Sequence, residues 1–398
     1  MSLNVKRFLS MTALVLSCVM LFQACSPKTA KNDDTNQGKK IKAGFIYVGP
    51  VGDYGWSNAH DVGRKFVDDK FDWLETTYVE AVAEADTPRV IDRLIMEEKC
   101  DVVFTTSFGF MDATIEAGKK YPDKKFMHCS GYKQAENVGT YFTDLYQMYY
   151  LNGLMAGALS ESKIIGYVGA FPIPEVVRHI NAFAIGAKEV QPDIEVRVKW
   201  INAWYDPVKA REAAEALIIE GCDALAFTED SPAVIEVGKD HTEKGKQIYT
   251  FSHYSPMQQY GENTVVSGQL CDWGLMYEEI LQNIYNDKWK NEDMLWLANK
   301  KTALLGGSFD EQINKVFVDP LKNKKINDPI LGQLSIYDLV MKRMDQYMEP
   351  TLLHEPFTGP IVDQKGVLKL KPNERATVEQ LWTIDWFVEG VVGEIPAN

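Results

Sequence analysis

From Ile41 onward, short apolar runs alternate with longer amphipathic stretches, and this alternation constrains the fold more than any other feature of the chain. The runs include Gly44-Phe45-Ile46-Tyr47-Val48, Val102-Val103-Phe104, Lys125-Phe126-Met127-His128 and Ile164-Ile165-Gly166-Tyr167-Val168. Val196-Arg197-Val198-Lys199-Trp200, Ala224-Leu225-Ala226-Phe227 and Ile248-Tyr249-Thr250-Phe251 follow. Strands that alternate with helices predict parallel sheets covered on both faces. The stretches between them carry helix signals. Asp206-Pro207 supplies a cap and a first-turn proline, Ala213, Ala214, Leu217 and Ile218 share a face, and Gly221 ends the helix. Thr87-Pro88 opens another helix, with Val90, Ile91, Leu94 and Ile95 on its inner face, and Ser231-Pro232 opens a third.

The pattern also repeats. Cys100-Asp101 with its following strand recurs as Cys222-Asp223, 122 positions later, and Gly44-Phe45-Ile46 recurs as Gly166-Tyr167-Val168 at the same spacing. Chance similarity between generic βα units is the alternative for matches this short. Two coincident spacings predict an α/β chain of two similar, doubly wound parallel-sheet lobes.

The N-terminus reads as an address. Lys6 and Arg7 precede an apolar run from Phe8 to Phe22, a positive region followed by a hydrophobic one, so residues 1–24 are expected to be a signal peptide. A buried first helix is the alternative, but the polar stretch Ser26 to Lys40 follows at once. Ala24-Cys25-Ser26 resembles a bacterial lipobox, which would make Cys25 the lipidated residue and 25–40 a flexible tether. Later in the chain no stretch approaches the ~20 apolar residues of a membrane span. Cys100, Cys129, Cys222 and Cys271 are scattered in apolar contexts, as buried free thiols are, and form no C-x-x-C pair. The net charge of −14 argues against nucleic acid as a partner.

Open α/β sheets bind ligands outside the carboxyl ends of their strands. The loops that follow the strands here hold Trp56, then Phe108, Phe171 with Glu175, Trp204, Asp230, and Asp272 with Trp273. Several aromatic and acidic residues converging on one cleft describe a pocket for a flat, hydrogen-bonding solute. Trp56 is expected to stack on the ligand ring, with Phe108, Phe171, Trp204 and Trp273 as further walls. Asp230 and Asp272 would accept hydrogen bonds from ring or exocyclic N–H groups, and Glu175 is a weaker candidate. Each has a plain alternative: core packing for the aromatics, a helix cap for Asp230, a hinge hydrogen bond for Asp272, the helix dipole for Glu175. Asp206 is assigned to capping and Asp53 to a turn.

Taken together, certain segments resemble the basic membrane protein (BMP) family of ABC-transporter solute-binding lipoproteins. They are Phe45-Ile46-Tyr47-Val48-Gly49-Pro50-Val51-Gly52-Asp53-Tyr54-Gly55-Trp56, Thr105-Thr106-Ser107-Phe108-Gly109, Pro172-Ile173-Pro174-Glu175-Val176-Val177, Asp272-Trp273-Gly274 and the tail Trp386-Phe387-Val388-Glu389-Gly390-Val391-Val392-Gly393. The resemblance implies the periplasmic-binding-protein type I fold, with lobes of 41–160 plus about 272–300 and 161–271 plus part of 301–398, joined by a hinge. It implies a purine as solute, an ABC permease as partner, and a cell-envelope location through the lipid anchor. The nucleoside-binding branch usually carries Lys-Ser-Phe-Asn where Gly55-Trp56-Ser57 stands here, which favours a free base over a nucleoside. A monomer without cofactor or metal is expected.

An enzyme finds no support in the motifs. Walker A, G-x-S-x-G and H-E-x-x-H patterns are absent, and Gly49, Gly52 and Gly55 are spaced too regularly for a dinucleotide fingerprint. The six histidines show no ligand spacing. Two other readings stay open: a ligand-sensing lipoprotein for a membrane receptor, and a binder of another small solute such as a sugar.

Overall fold

The computed structural model describes residues 38–349, 351 and 354–396. The expected signal peptide, Cys25 and most of the expected tether therefore lie outside the described residues. Where the tether ends, Lys39 Nζ donates to the Tyr285 carbonyl at 2.6 Å and pairs with Asp287 at 2.9 Å.

The first half runs β1 (Ile41–Ile46), α1 (Trp56–Lys70), β2 (Leu74–Val79), α2 (Thr87–Met96), β3 (Val102–Thr105), α3 (Met111–Lys120), β4 (Lys125–Cys129) and β5 (Val138–Thr143). The second runs α4 (Tyr146–Leu159), β6 (Ile164–Gly169), α5 (Pro174–Val190), β7 (Glu195–Trp200), α6 (Pro207–Ile219), β8 (Ala224–Thr228), α7 (Ala233–Glu243), β9 (Tyr249–Tyr254) and β10 (Val265–Cys271). The chain continues through α8 (Trp273–Tyr285), β11 (Asp293–Trp296), β12 (Ala303–Leu305), α9 (Lys315–Asn323), β13 (Lys325–Asp328), β14 (Gly332–Ser335) and α10 (Ile336–Met348). It closes with β15 (Ile361–Val362), β16 (Leu368–Leu370), α11 (Val378–Trp382) and β17 (Val391–Val392).

Two sheets result. The first has the order β2-β1-β3-β4-β5-β11, all parallel. The second has the order β17-β7-β6-β8-β9-β10-β12, parallel except for the antiparallel pair β10-β12. Their central five strands follow the same order, so the spacing between Cys100 and Cys222 marks equivalent units of two lobes. β3, β5, β8 and β10 are buried along their whole lengths, because helices cover both faces. Cys100, Cys129, Cys222 and Cys271 are buried free thiols. Asp206 caps α6 by accepting from Lys209 N at 3.1 Å. Among the described residues, no helix is long and apolar enough to cross a membrane.

Helix α4 is buried on every side and lies against α5. Their backbones touch: a Cβ on Gly153 would stand 2.1 Å from the Phe183 carbonyl oxygen, and one on Gly186 would stand 2.1 Å from that of Tyr150. α4 therefore packs with the second sheet, although a boundary at residue 160 would assign it to the first. The chain passes between lobes three times: from β5 into α4, from β10 into α8, and from β11 into β12. The crossings are bonded to one another. Thr143 Oγ1 donates to Thr302 Oγ1 at 2.5 Å, Asp272 N to Thr302 O at 2.8 Å, and Asp144 N to Trp296 O at 3.0 Å.

Candidate functional site

In both sheets the strand order reverses between the first and third strands, β1 and β3 in one, β6 and β8 in the other, and ligand crevices form beside such points. Here the two crevices face each other across a narrow cavity. The first lobe contributes Val48, Trp56, Ser107, Phe108 and Ser130; the second contributes Glu175, Trp204, Asp230 and Tyr254.

The loop before α1 is organised by Asp53. Its carboxylate accepts from Gly55 N at 2.8 Å, Ser57 N at 3.0 Å and Asn58 N at 3.0 Å, so the turn role expected for it holds. Burial nevertheless pushes its carboxyl up to about 6. The turn delivers Trp56, whose indole N–H donates to the Thr106 carbonyl. Tyr254, His60 and Trp273 meet the Trp56 ring edge-on, with centroids at 4.8, 4.5 and 5.4 Å. Trp56 is thus both wedged and cavity-lining.

Contacts across the cleft show the lobes closed on each other. Ser130 donates its hydroxyl to Glu175 Oε2, and within the second lobe Tyr254 donates to Glu175 Oε1 at 3.1 Å. Trp56 N donates to Asp230 Oδ1 at 3.3 Å, and Ser255 Oγ to the Gly55 carbonyl at 2.9 Å. At Gly55 a Cβ would lie 2.6 Å from the Asp230 Cα, so only glycine lets the lobes approach this closely. Asp230 is 1 % exposed. Burial, then the neighbouring Asp53 and Glu229 carboxylates, hold its carboxyl well above the ordinary value.

The cavity gathers Trp56, Phe108, Glu175, Trp204 and Asp230 from the candidates drawn from sequence. Phe171 packs on Trp204, ring centroids 5.1 Å apart, and does not line the cavity. Asp272 caps α8 by accepting from Gly274 N at 3.0 Å. Trp273 is fully buried and stacks on His60 at 4.3 Å. These three residues therefore lie outside the cavity lining. A helix begins immediately after β10, which turns Asp272 to its own backbone and Trp273 into the core.

Sequence reasoning missed Val48, Ser107, Ser130 and Tyr254. Ser130 directly follows β4 and Tyr254 ends β9, the corresponding strands of the two lobes, and both have left-handed backbones, at φ 66° and 59°. Such conformations cost about 1–3 kcal/mol each and aim side chains where a regular strand would not. Reading the residues after the runs at Lys125 and Ile248 would have found both.

Four aromatic rings and two carboxylates can grip a flat ring by its faces and read donors at its edge. Among the described residues, no Lys, Arg or His lines the cavity. Among the described residues, no His/Cys/Asp/Glu group could hold a metal.

The comparisons with known proteins bear on what enters. Residues 40–338 match the Bmp family, described as PnrA-like ABC transporter substrate-binding proteins. A purine-binding protein of Brucella abortus is 36% identical over 360 residues, 90% of this chain and 95% of its own. A Haloferax volcanii protein, named provisionally as an ABC transporter glucose-binding protein, is 41% identical over 68% of this chain and 67% of its own. Among solved structures, an ABC transporter solute-binding protein of Aeropyrum pernix aligns with a TM-score of 0.63 at 15% identity, covering 78% of this chain and 87% of that one.

Proposed function

The chain belongs to the PnrA-like ABC transporter substrate-binding proteins, and on that premise we propose that it captures a purine, as free base or nucleoside, for an ABC permease. Proteins of this class work outside the cytoplasm. The observation that carries the proposal is the cavity between the lobes, which Trp56, Phe108, Trp204 and Tyr254 line together with the carboxyl groups of Glu175 and Asp230. A purine has apolar faces and polar edges, and stacking on aromatics is worth about 1–3 kcal/mol per base. The Brucella relative, similar over nearly its full length, supports the same reading.

The name of the Haloferax relative favours a second reading, a hexose, which aromatic and acidic side chains can also hold. Calorimetry with adenine, guanine, hypoxanthine, adenosine, ribose and glucose separates the two. Binding of a purine without binding of either sugar is expected. Binding of glucose or ribose alone would replace the proposal.

Delivery to a membrane permease suits anchoring at Cys25 with the protein acting as a monomer. Cys25→Ala should move the protein from the membrane fraction to the soluble fraction after cell breakage. Retention with membranes would argue against the anchor.

A further inference from the structure

The carboxylates of the cleft outnumber anything that could balance them. Asp230 follows the end of β8, next to Glu229, which is fully buried and whose Oε2 has no partner among the described residues. Asp53 faces Asp230 from the loop before α1, and Glu175 from the start of α5. β9 presents only the phenol of Tyr254. The loop before α6 presents the Trp204 carbonyl, which accepts from Asp230 N at 2.8 Å, and Asp206, which bears on Glu229. α1 presents the Trp56 backbone N–H and, behind that indole, His60, kept neutral by burial. No cation faces the group from any of these elements.

Buried like charges without a counterion cannot all ionise. Donors decide which one stays charged. Asp53 receives three backbone N–H groups, while Asp230 receives one, at 3.3 Å on Oδ1, and its Oδ2 has no partner among the described residues. An ionised carboxylate left with one long bond at a buried position is costly. The burial-driven rise of the Asp230 carboxyl agrees with this assignment.

We infer that Asp230 meets the solute as a neutral carboxylic acid and donates from Oδ2 to an acceptor atom on the ligand ring, leaving N–H donors to Glu175. This reverses the acceptor role that its residue type suggests. It rests on the cleft being the solute site, and it narrows the substrate class to rings that place an unprotonated nitrogen or a carbonyl oxygen beside an N–H. Binding is then coupled to a proton. Above the pH at which free Asp230 ionises, the acid must be re-protonated for the ligand to enter, and affinity falls about tenfold per pH unit.

The test is calorimetry with adenine across about pH 5 to about pH 9, in buffer pairs of different ionisation heat. Wild type should take up about one proton per adenine bound at the alkaline end and none at the acid end. Asp230→Asn keeps a donor and an acceptor in the geometry of the neutral acid. It should show no proton uptake, and should bind more tightly than wild type at the alkaline end and than Asp230→Ala throughout. Wild-type binding with no proton uptake and flat affinity would overturn the inference. So would an Asp230→Asn protein as weak as Asp230→Ala. Should adenine fail to bind wild type, the tightest purine of the panel replaces it. Failure of every purine defeats the proposed function rather than the protonation state.

Discussion

The Arg178 guanidinium lies 2.9 Å from Asp144 Oδ2, with the two side chains 0% and 3% exposed. Asp144 sits in the first crossing between the lobes, and Arg178 belongs to α5. The same guanidinium donates to the Leu381 carbonyl at 2.7 Å and lies 5.3 Å from the Trp382 ring centroid, so the pair joins hinge, lobe and C-terminal segment. Burial works against charge on Asp144, but Arg178 and His179 outweigh it and hold the carboxyl below its ordinary value.

Breaking this pair from one side leaves an uncompensated buried charge, which costs about 3–5 kcal/mol. Arg178→Met should lower unfolding stability by that amount in urea titration. A loss below about 1 kcal/mol would mean that water or a neighbour compensates Asp144.

The Ser130 hydroxyl reaches Glu175 across the cleft only while the lobes are closed. Hydrogen bonds to charged groups contribute about 1.5–3 kcal/mol. Ser130→Ala should therefore weaken solute binding by about tenfold or more while leaving unfolding stability nearly unchanged. Small-angle scattering of the ligand-free variant should give a larger radius than wild type. An unaltered dissociation constant would show that the bond carries no closure energy.

Trp56 and Asp272 should part company under mutation. Trp56→Ala is expected to cost about 1–3 kcal/mol for every purine alike, because each has a π-face. Asp272→Asn changes a helix cap, so it should cost at most about 1 kcal/mol of stability and leave the order of purine affinities intact. A changed order with Asp272→Asn would place that residue at the ligand after all.

Glu355 accepts from the Tyr146 hydroxyl at 2.8 Å, and burial pushes its carboxyl up to about 7. Its pKa is raised in the folded state, so its contribution is fully present below the unfolded value near ~4.3 and is lost as pH rises towards about 7. Buried histidines such as His60 and His128 pull the other way, since their pKa values are lowered by burial. The informative quantity is hence a difference. Wild-type stability minus that of Glu355→Gln should fall by up to about 3 kcal/mol between pH ~4 and pH ~7 in parallel denaturant titrations. A constant difference would place the titration elsewhere.

Much of this fold was legible because parallel strands covered on both faces must be continuous apolar runs. β1, β3, β6 and β8 announced themselves that way, and their spacing gave two lobes of equal topology. α4 was harder to place: its Tyr, Met, Leu and Gly residues are buried on every side, so no periodicity marks which lobe it joins. The C-terminal segments were opaque because β13 to β17 are too short to carry a pattern. Among the residues that line the cavity, Trp56, Trp204 and Asp230 were legible from their place after strands. Ser130 and Tyr254 were missed because a left-handed backbone, not residue type, turns them into the cleft. Asp272 and Trp273 misled because a residue after a strand can equally be the first of a helix.

β17 is only two residues long, yet Val391 and Val392 pair with Val196 and Arg197 along the outer edge of β7. The Gln364 side chain holds the Gly393 carbonyl at 2.9 Å, which fixes the pairing in place. An open strand edge is a template for any other extended chain. Val391 and Val392 cover that edge of β7 and occupy the backbone groups another chain would need for strand pairing. Removing β17 would bare the outer edge of β7 to any extended chain that meets it.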